Sequence, residues 1–228
     1  MTPAAATPLV SVVIPVFNAE RYLGAALASV FAQSYGHLEV LVVDDGSTDG
    51  SAEIARASSD PRCRLIPQAH AGAAAARNRG VTASRGALLS FLDADDVWMP
   101  GKTARQVDVL TRDAAVDMVF GHYVTLDADG VAAPQTPAPG MSMGTMTIRR
   151  ERCVEVGPFC TEWRVGEFIE WYARAEDAGL RRVMLPDVML GRREHDANLT
   201  GASRDARVDY ARILRQVAQR RGRPGRRL

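Results

Sequence analysis

The sequence predicts an α/β domain built on a mostly parallel sheet, and three observations carry that reading. Short β-branched runs alternate with amphipathic segments through the first hundred residues. Two of those runs end on clustered carboxylates, Asp44-Asp45 and Asp93-Ala94-Asp95-Asp96. The 228 residues, 46 % apolar and 24 % charged, have ordinary globular usage and suffice for one well-cored domain.

The elements follow in order. Residues 11–17 (SVVIPVF) form a short buried strand bounded by Pro and Asn. Asn18 then suits a helix cap, with Glu20 in the first turn and Leu23, Leu27, Val30 and Phe31 at helical spacing. LEVLVVDD (38–45) is a second buried strand, GSTDG turns the chain into a helix over 48–57, and 63–68 is a third strand. An alanine-rich helix over 72–84 leads to a fourth strand, 87–96. In the second half a helix over 101–112 precedes an apolar strand at 116–126, a DADG turn and a Pro-rich loop at 133–140. That loop reads as a lid, an acceptor loop or a plain surface connection. A helix over 165–177, the strand RRVMLP, the polar stretch GRREHDANLT and a helix over 203–220 complete the chain. The organisation expected is a flexible leader (1–8), one domain (9–203) with halves at 9–96 and 97–203, and a C-terminal helix with a basic tail (204–228).

Charge and composition exclude several classes. No apolar stretch reaches the roughly 20 residues of a membrane span, and the first ten residues do not resemble an export signal, so the chain is expected to be soluble and cytoplasmic. Cys63, Cys153 and Cys160 are an odd number without metal-ligand spacing and read as buried thiols. The net charge of +1 hides an uneven distribution, with nine Arg against Asp205 and Asp209 after residue 203. A basic end on an acidic body argues against nucleic acid. It is compatible with a solvated terminus or with peripheral contact at an anionic inner membrane face. A homodimer is also left open.

Carboxylates clustered beyond parallel strands repel one another, and a divalent cation offsets that most directly. Asp93 and Asp95 have the two-residue spacing that lets both lean to one side of a strand end. Hard oxygen ligands suit Mn2+ or Mg2+ sharing coordination with phosphates, whereas the alternative is that residues 93–96 solvate a turn and cap the next helix. The basic residues are 27 Arg and one lysine, Lys102. A response-regulator receiver needs a lysine on a later strand; Lys102 follows Asp93 by only nine residues and no other exists. A Rossmann dehydrogenase needs a Gly-rich turn after its first strand, where this chain has FNAERY. A nucleotidyltransferase lacks its Gly-rich loop and lysine here.

Seven blocks in order carry a resemblance: SVVIPVFNAERYLGAALASVFAQ, LEVLVVDDGSTDGS, AARNRG, LLSFLDADDVWMP, GTMTIRRERCVEVGPF, VGEFIEWYARAEDAGL and RRVMLPDVMLGRREHDANLT. Together they resemble family 2 glycosyltransferases, which have the GT-A fold, over residues 9–200. The resemblance implies metal-dependent, inverting transfer of a sugar from a nucleotide-diphosphate donor, commonly a UDP-sugar, to an acceptor hydroxyl on a glycan, lipid carrier, metabolite or peptide. Pro15, Val16, Phe17 and Asn18 match the loop along the base, with Phe17 available for stacking. Asp44 matches the carboxylate that takes the base N–H, flanked by Asp45 and by Asp49, for which helix capping is the alternative. Arg77 matches a basic position near the nucleotide, and Arg79 reads as surface. Asp95 is the first choice for metal ligand, with Asp93 on ribose or a metal-bound water and Asp96 as third member.

Removal of the acceptor proton calls for a carboxylate within reach. GEFIEW offers Glu167 and Glu170, one helical turn apart. The family usually has an Asp of a Glu-Asp pair here, where this chain has Phe168, so the base is Glu167 by preference and Glu170 otherwise. His195 matches a histidine near the diphosphate or metal, with Arg192 and Arg193 placed to clamp phosphate oxygens. His70, like His37 and His122, has no such setting. Trp163 and Trp171 flank the suspected base and could stack on a sugar, core packing being the alternative, as it is for Trp98. A catalytically silent sugar-nucleotide or glycan-binding module is the competing function, with a nucleotidyltransferase third.

Overall fold

The computed structural model describes residues 7–132, 135–163, 165–195 and 204–221. The first half alternates strand and helix as the spacing predicts: β1 (Val10–Val16), α1 (Glu20–Phe31), β2 (Leu38–Asp44), α2 (Ser51–Arg56), β3 (Cys63–Pro67), α3 (Ala73–Ala83) and β4 (Leu88–Phe91). The second half holds β5 (Val97–Trp98), α4 (Lys102–Arg112), β6 (Met118–Leu126), β7 (Ala138–Gly140), β8 (Thr147–Arg149), α5 (Arg150–Val156), α6 (Glu167–Asp177), β9 (Arg182–Arg193) and α7 (Arg204–Arg221).

The strands form one sheet in the order β3-β2-β1-β4-β8-β6-β9-β5, with β7 paired to β6. β3, β2, β1 and β4 are mutually parallel, whereas β8 runs antiparallel to both β4 and β6. β6 and β9 pair in parallel with register shifts around His122. The sheet is therefore mixed. Every residue of β1 and β2 is buried because helices cover both faces, which explains their unbroken apolar runs. Val12, Ile14 and Val16 join Leu23, Leu27 and Val30 of α1 on one side. Val13, Leu41 and Val43 pack with Ala76, Phe91 and Trp171 on the other.

Several expectations change. Asn18 does not cap α1: it has a left-handed φ of 49° and accepts from Thr48 N–H at 2.8 Å, while Ala19 occupies the cap position. The first turn of α1 is satisfied from thirty residues away. Asp49 accepts from Glu20 N–H and Ser51 Oγ from Ala19 N–H, while Gly50 N–H donates to Glu20 in return. Asp49 also accepts from Ser51 N–H, so it serves the starts of two helices. Burial alone would raise its carboxyl, but these hydrogen bonds outweigh that and hold it below the ordinary range. The fourth strand ends at Phe91, so residues 93–96 form a turn, closed by Asp96 N–H on Asp93 C=O at 3.1 Å, before β5. The far end of the Pro-rich loop is tied down as β7 against Gly121–Tyr123, while residues 133–134 lie outside the described residues.

Cys153 is buried, which pushes its thiol up to about 12, and Cys63 and Cys160 are half-buried, so only one of the three fits the expected buried thiol. No helix among the described residues is long and apolar enough to cross a membrane. The leader before residue 7, GRREHDANLT beyond His195, and the basic end after Arg221 lie outside the described residues.

Candidate active site

The chain runs outward from β1 through β2 to β3 and then crosses back to β4 on the other side of β1, so the strand order reverses there and opens a crevice beyond the carboxyl end of β1. Phe17 and Asn18 are exposed at the mouth of that crevice, immediately after β1, and Phe17 retains 47 % exposure. Its ring centroid lies 4.1 Å from that of His70. Pro15 and Val16 are buried strand residues paired with Val43 and Asp44, not loop residues, so their side chains do not line an open slot. Asp44, buried at the end of β2, accepts from Ser47 N–H at 3.1 Å. Asp45 is occupied. It accepts from Gln68, from Ala71 N–H and from Gly72 N–H, and pairs with His70 Nδ1 at 2.9 Å. Its carboxylate holds the loop that opens α3, which leaves it no open face for a ligand.

The turn after β4 gathers the remaining groups. Asp93 accepts from Arg77 at 2.6 Å, and the other terminal nitrogen of Arg77 pairs with Glu167. Burial of this guanidinium, which alone would lower its pKa, is outweighed by Asp93 and Glu167, so its pKa is raised and the charge is retained. Asp95 Oδ2 stands 3.1 Å from His195 Nε2. Burial first, and Asp93 second, push the Asp95 carboxyl above its ordinary range, with His195 opposing. Asp96 is raised further by burial, then by Asp93 and Asp95. Its Oδ1 accepts from Arg193 N–H at 2.8 Å. Three carboxylates thus share one turn at an electrostatic cost that a cation would relieve.

The donor set can be tested against such a cation. Among the described residues no group of three His, Cys, Asp or Glu side chains is arranged around a common metal position. Asp95 and His195 supply one hard oxygen and one imidazole nitrogen. That suits an ion such as Mn2+ or Mg2+, which keeps waters and shares its shell with phosphate oxygens. The pair fits a two-residue metal site.

Other expected site residues lie elsewhere. Glu170 is buried beneath α7, accepting from Arg174 at 3.0 Å and Arg220 at 3.3 Å, so it and Glu167 diverge despite their spacing. Phe168 packs among Phe120, Trp171 and Tyr172, which explains how an apolar residue replaces a polar one there. Arg193 donates from its side chain to the carbonyls of Asp95 and Ala128, so its guanidinium braces two turns instead of clamping phosphate. Arg192 is half-buried on the same strand, and its charge acts on Asp96. Trp171 is fully buried with its indole N–H on Gly157 C=O, and Trp98 is buried likewise on Gly144 C=O; both are core. Trp163 is half-buried with an enclosed indole nitrogen.

Two residues escaped the sequence reading. Tyr22 stacks on His195 with centroids 4.7 Å apart and planes at 18°, and the Arg193 guanidinium lies 5.1 Å from the same ring. His70 flanks Phe17 and pairs with Asp45. The signal for Tyr22 was its place one turn into the helix that follows Asn18; nothing local marked His70.

Comparison with known proteins bears on this geometry. WfgD of Escherichia coli, a UDP-Glc:alpha-D-GlcNAc-diphosphoundecaprenol beta-1,3-glucosyltransferase, is 33 % identical over 132 residues, which are 56 % of this chain and 52 % of WfgD. The glycosyltransferase AglE of Haloferax volcanii is 35 % identical over 201 residues, 80 % of this chain and 66 % of AglE. The chain spans about half the length of the curated relatives it matches. Among solved structures, S. aureus TarS 1–349 in complex with UDP-GlcNAc has a TM-score of 0.74 at 19 % identity, over 92 % of this chain and 65 % of that one. The mannosyltransferase PcManGT from Pyrobaculum calidifontis, in complex with GDP-Man and Mn2+, has a TM-score of 0.70 at 21 % identity, over 98 % and 67 %. These likenesses show the GT-A fold that the motif order implies. The family model described as "Glycosyl transferase family 2" matches residues 11–165, a segment that takes in every carboxylate at the ends of β2 and β4. On that match, which covers more than half of the sequence, the chain belongs to glycosyl transferase family 2.

Proposed function

We propose that this chain transfers a sugar, with inversion and with the help of a divalent metal, from a nucleoside-diphosphate sugar to an acceptor hydroxyl. The observation that carries the reading is the convergence of Asp93, Asp95, His195 and Glu167 on one turn beside the crevice of β1 and β4. The bond from the anomeric carbon to the diphosphate oxygen breaks as the bond to the acceptor oxygen forms, and the acceptor proton passes to a carboxylate. Glu167 is that carboxylate, since Glu170 is occupied beneath α7. It opens α6, and its side chain keeps 14 % exposure.

The nucleotide lies across Phe17 and His70, with Asp44 to accept from the base. Arg192 supplies a positive charge for phosphate. Asp95 and His195 hold Mn2+ or Mg2+, which when bound neutralises charge on the leaving diphosphate. Lys102 cannot take that task, because it is fully buried in the core. A UDP-sugar is the first choice of donor and a GDP-sugar the second; TarS and PcManGT are described with UDP-GlcNAc and GDP-Man respectively.

Titration calorimetry with UDP and with GDP, each with and without Mn2+, tests the reading. Metal-enhanced binding of one nucleotide is expected; no binding of either under any condition overturns it. Given binding, Glu167→Gln lowers donor turnover by about 100-fold or more with affinity spared. Intact turnover in that variant would remove Glu167 as the base, whereas wild-type protein that binds a nucleotide but turns over no donor would leave a binding module as the better account of the carboxylate cluster.

A further inference from the structure

Arg77 stands apart from every other arginine at the site. It belongs to α3, in the half expected to hold the nucleotide, yet its guanidinium reaches Glu167 on α6 and Asp93 after β4. Its side chain is only 7 % exposed. Each terminal nitrogen is engaged by a different carboxylate, and the buried Nε has no hydrogen-bond partner among the described residues. The family resemblance implied a nucleotide contact at this position. To reach a phosphate, however, the guanidinium would have to abandon two carboxylates in a poorly solvated place, leaving like charges uncompensated.

We infer that Arg77 is a positioning residue, a planar fork that fixes the Glu167 carboxylate relative to Asp93 and so sets the proton acceptor in register with the donor. The inference rests on the reading of Glu167 as that acceptor. A fork is the appropriate device, because a guanidinium offers two divergent N–H pairs in a rigid plane and an ammonium offers one mobile point charge. It also joins the expected halves of the chain by a direct charged contact, so the base is placed by the element that follows β3 as well as by α6. Glu170, Arg174 and Arg220 form a separate network one turn further along α6, which anchors the helix without touching Glu167's partners.

The test is a split between binding and turnover. UDP affinity in the presence of Mn2+ and the hydrolysis of UDP-GlcNAc and GDP-Man are measured for wild type, Arg77→Met, Arg77→Lys, Glu167→Gln and the double variant Arg77→Met/Glu167→Gln. Arg77→Met is expected to lower kcat by about 100-fold, with Kd for UDP changed by less than about threefold. Arg77→Lys is expected to recover part of that loss. Adding Arg77→Met to Glu167→Gln should cost at most a few-fold more, because both act through one carboxylate. A tenfold or greater loss of UDP affinity with kcat unchanged makes Arg77 a nucleotide ligand and overturns the inference, as does full additivity in the double variant. If Arg77→Met does not fold, Arg77→Lys decides: lowered kcat with unchanged Kd supports positioning, and unchanged kcat refutes it. Wild-type protein that binds neither nucleotide defeats the proposed function itself, an outcome distinct from all of these.

Discussion

Nε2 of His195 lies 3.1 Å from Oδ2 of Asp95, although one hundred residues separate them. The approach is built from three sides: β9 delivers the histidine just past its end, Tyr22 of α1 stacks on the imidazole, and Arg193 N–H fixes the turn through Asp96. If this pair holds the metal, Asp95→Ala should weaken Mn2+ binding in the presence of UDP by about 10- to 100-fold. Tyr22→Leu, which only frees the ring, should weaken it by about tenfold or less. Titration of free Mn2+ by electron paramagnetic resonance reads both. Unchanged affinity in Asp95→Ala would remove the assignment.

Glu170 separates anchoring from chemistry. Its carboxylate is buried against Arg174 and Arg220, and Ile213 and Tyr210 of α7 lie against Gly166, the residue that precedes α6 with a φ of 83°. Glu170→Gln takes the charged partner from Arg174 and one of two carboxylates from Arg220, which keeps Asp177 at 3.0 Å, so a stability loss of about 1–3 kcal/mol is expected, reduced by the partial exposure of the arginines. Turnover of the folded fraction should stay near wild type. Urea unfolding beside a donor-hydrolysis assay checks this; a large fall in kcat without a stability change would return Glu170 to the chemistry.

Much of this was legible in the sequence because local pattern and tertiary burial agree there. β1 and β2 read as continuous apolar runs since both sheet faces are covered, and Asp44 falls at the end of β2 and Asp95 in the turn just after β4 because the alternation of elements puts them there. What failed was set by partners far along the chain. Asn18 has the residue type of a cap, but Asp49 and Ser51 supply the hydrogen bonds. Glu167 and Glu170 share helical spacing, yet Arg77 draws one to the cleft and Arg220 holds the other beneath α7. Arg192 and Arg193 look like a clamp in sequence, while the strand sends adjacent side chains to opposite faces and Arg193 goes to backbone carbonyls. Spacing gives the face of an element; it does not give the partner that face meets.

Lys102 predicts a stability effect with a defined pH dependence. It is completely buried at the start of α4, donates to Ser90 Oγ at 2.9 Å and Gln106 Oε1 at 2.8 Å, and sits 4.1 Å from the centroid of Trp98. Burial lowers its pKa well below the ordinary lysine value, and no carboxylate is among its hydrogen-bond partners. A lowered folded pKa means that the unfolded chain binds the proton more tightly. The penalty is therefore complete below the folded pKa and is relieved as pH rises from there to about 10.5. Lys102→Met should stabilise the protein at pH 7 by about 1–3 kcal/mol, since Ser90 keeps Met146 C=O and Gln106 keeps Thr147 as partners. The gain should shrink toward pH 10. Thermal unfolding of both proteins across that range checks it; a gain independent of pH would show that packing, not charge, is responsible.

Gly80 ties stability to the site. It lies on α3, three residues after Arg77, and a Cβ there would stand 2.3 Å from Val13 Cγ1 and 3.0 Å from Cγ2. Val13 cannot yield: its χ1 is stiff, and β1 is held by β2 and β4 on either side. Ala would favour the helix by about 1 kcal/mol over Gly, but the overlap costs about 1–3 kcal/mol or more, so the sign is a net loss. α3 can relieve the clash only by moving off β1, which would carry Arg77 away from Glu167. Gly80→Ala should accordingly lower both the urea midpoint and donor turnover, and Val13→Ala in the same chain should restore turnover by making room while recovering only part of the stability. Turnover that stays at the wild-type level in Gly80→Ala, despite the lost stability, would show that the placement of Glu167 does not depend on how closely α3 seats against the sheet.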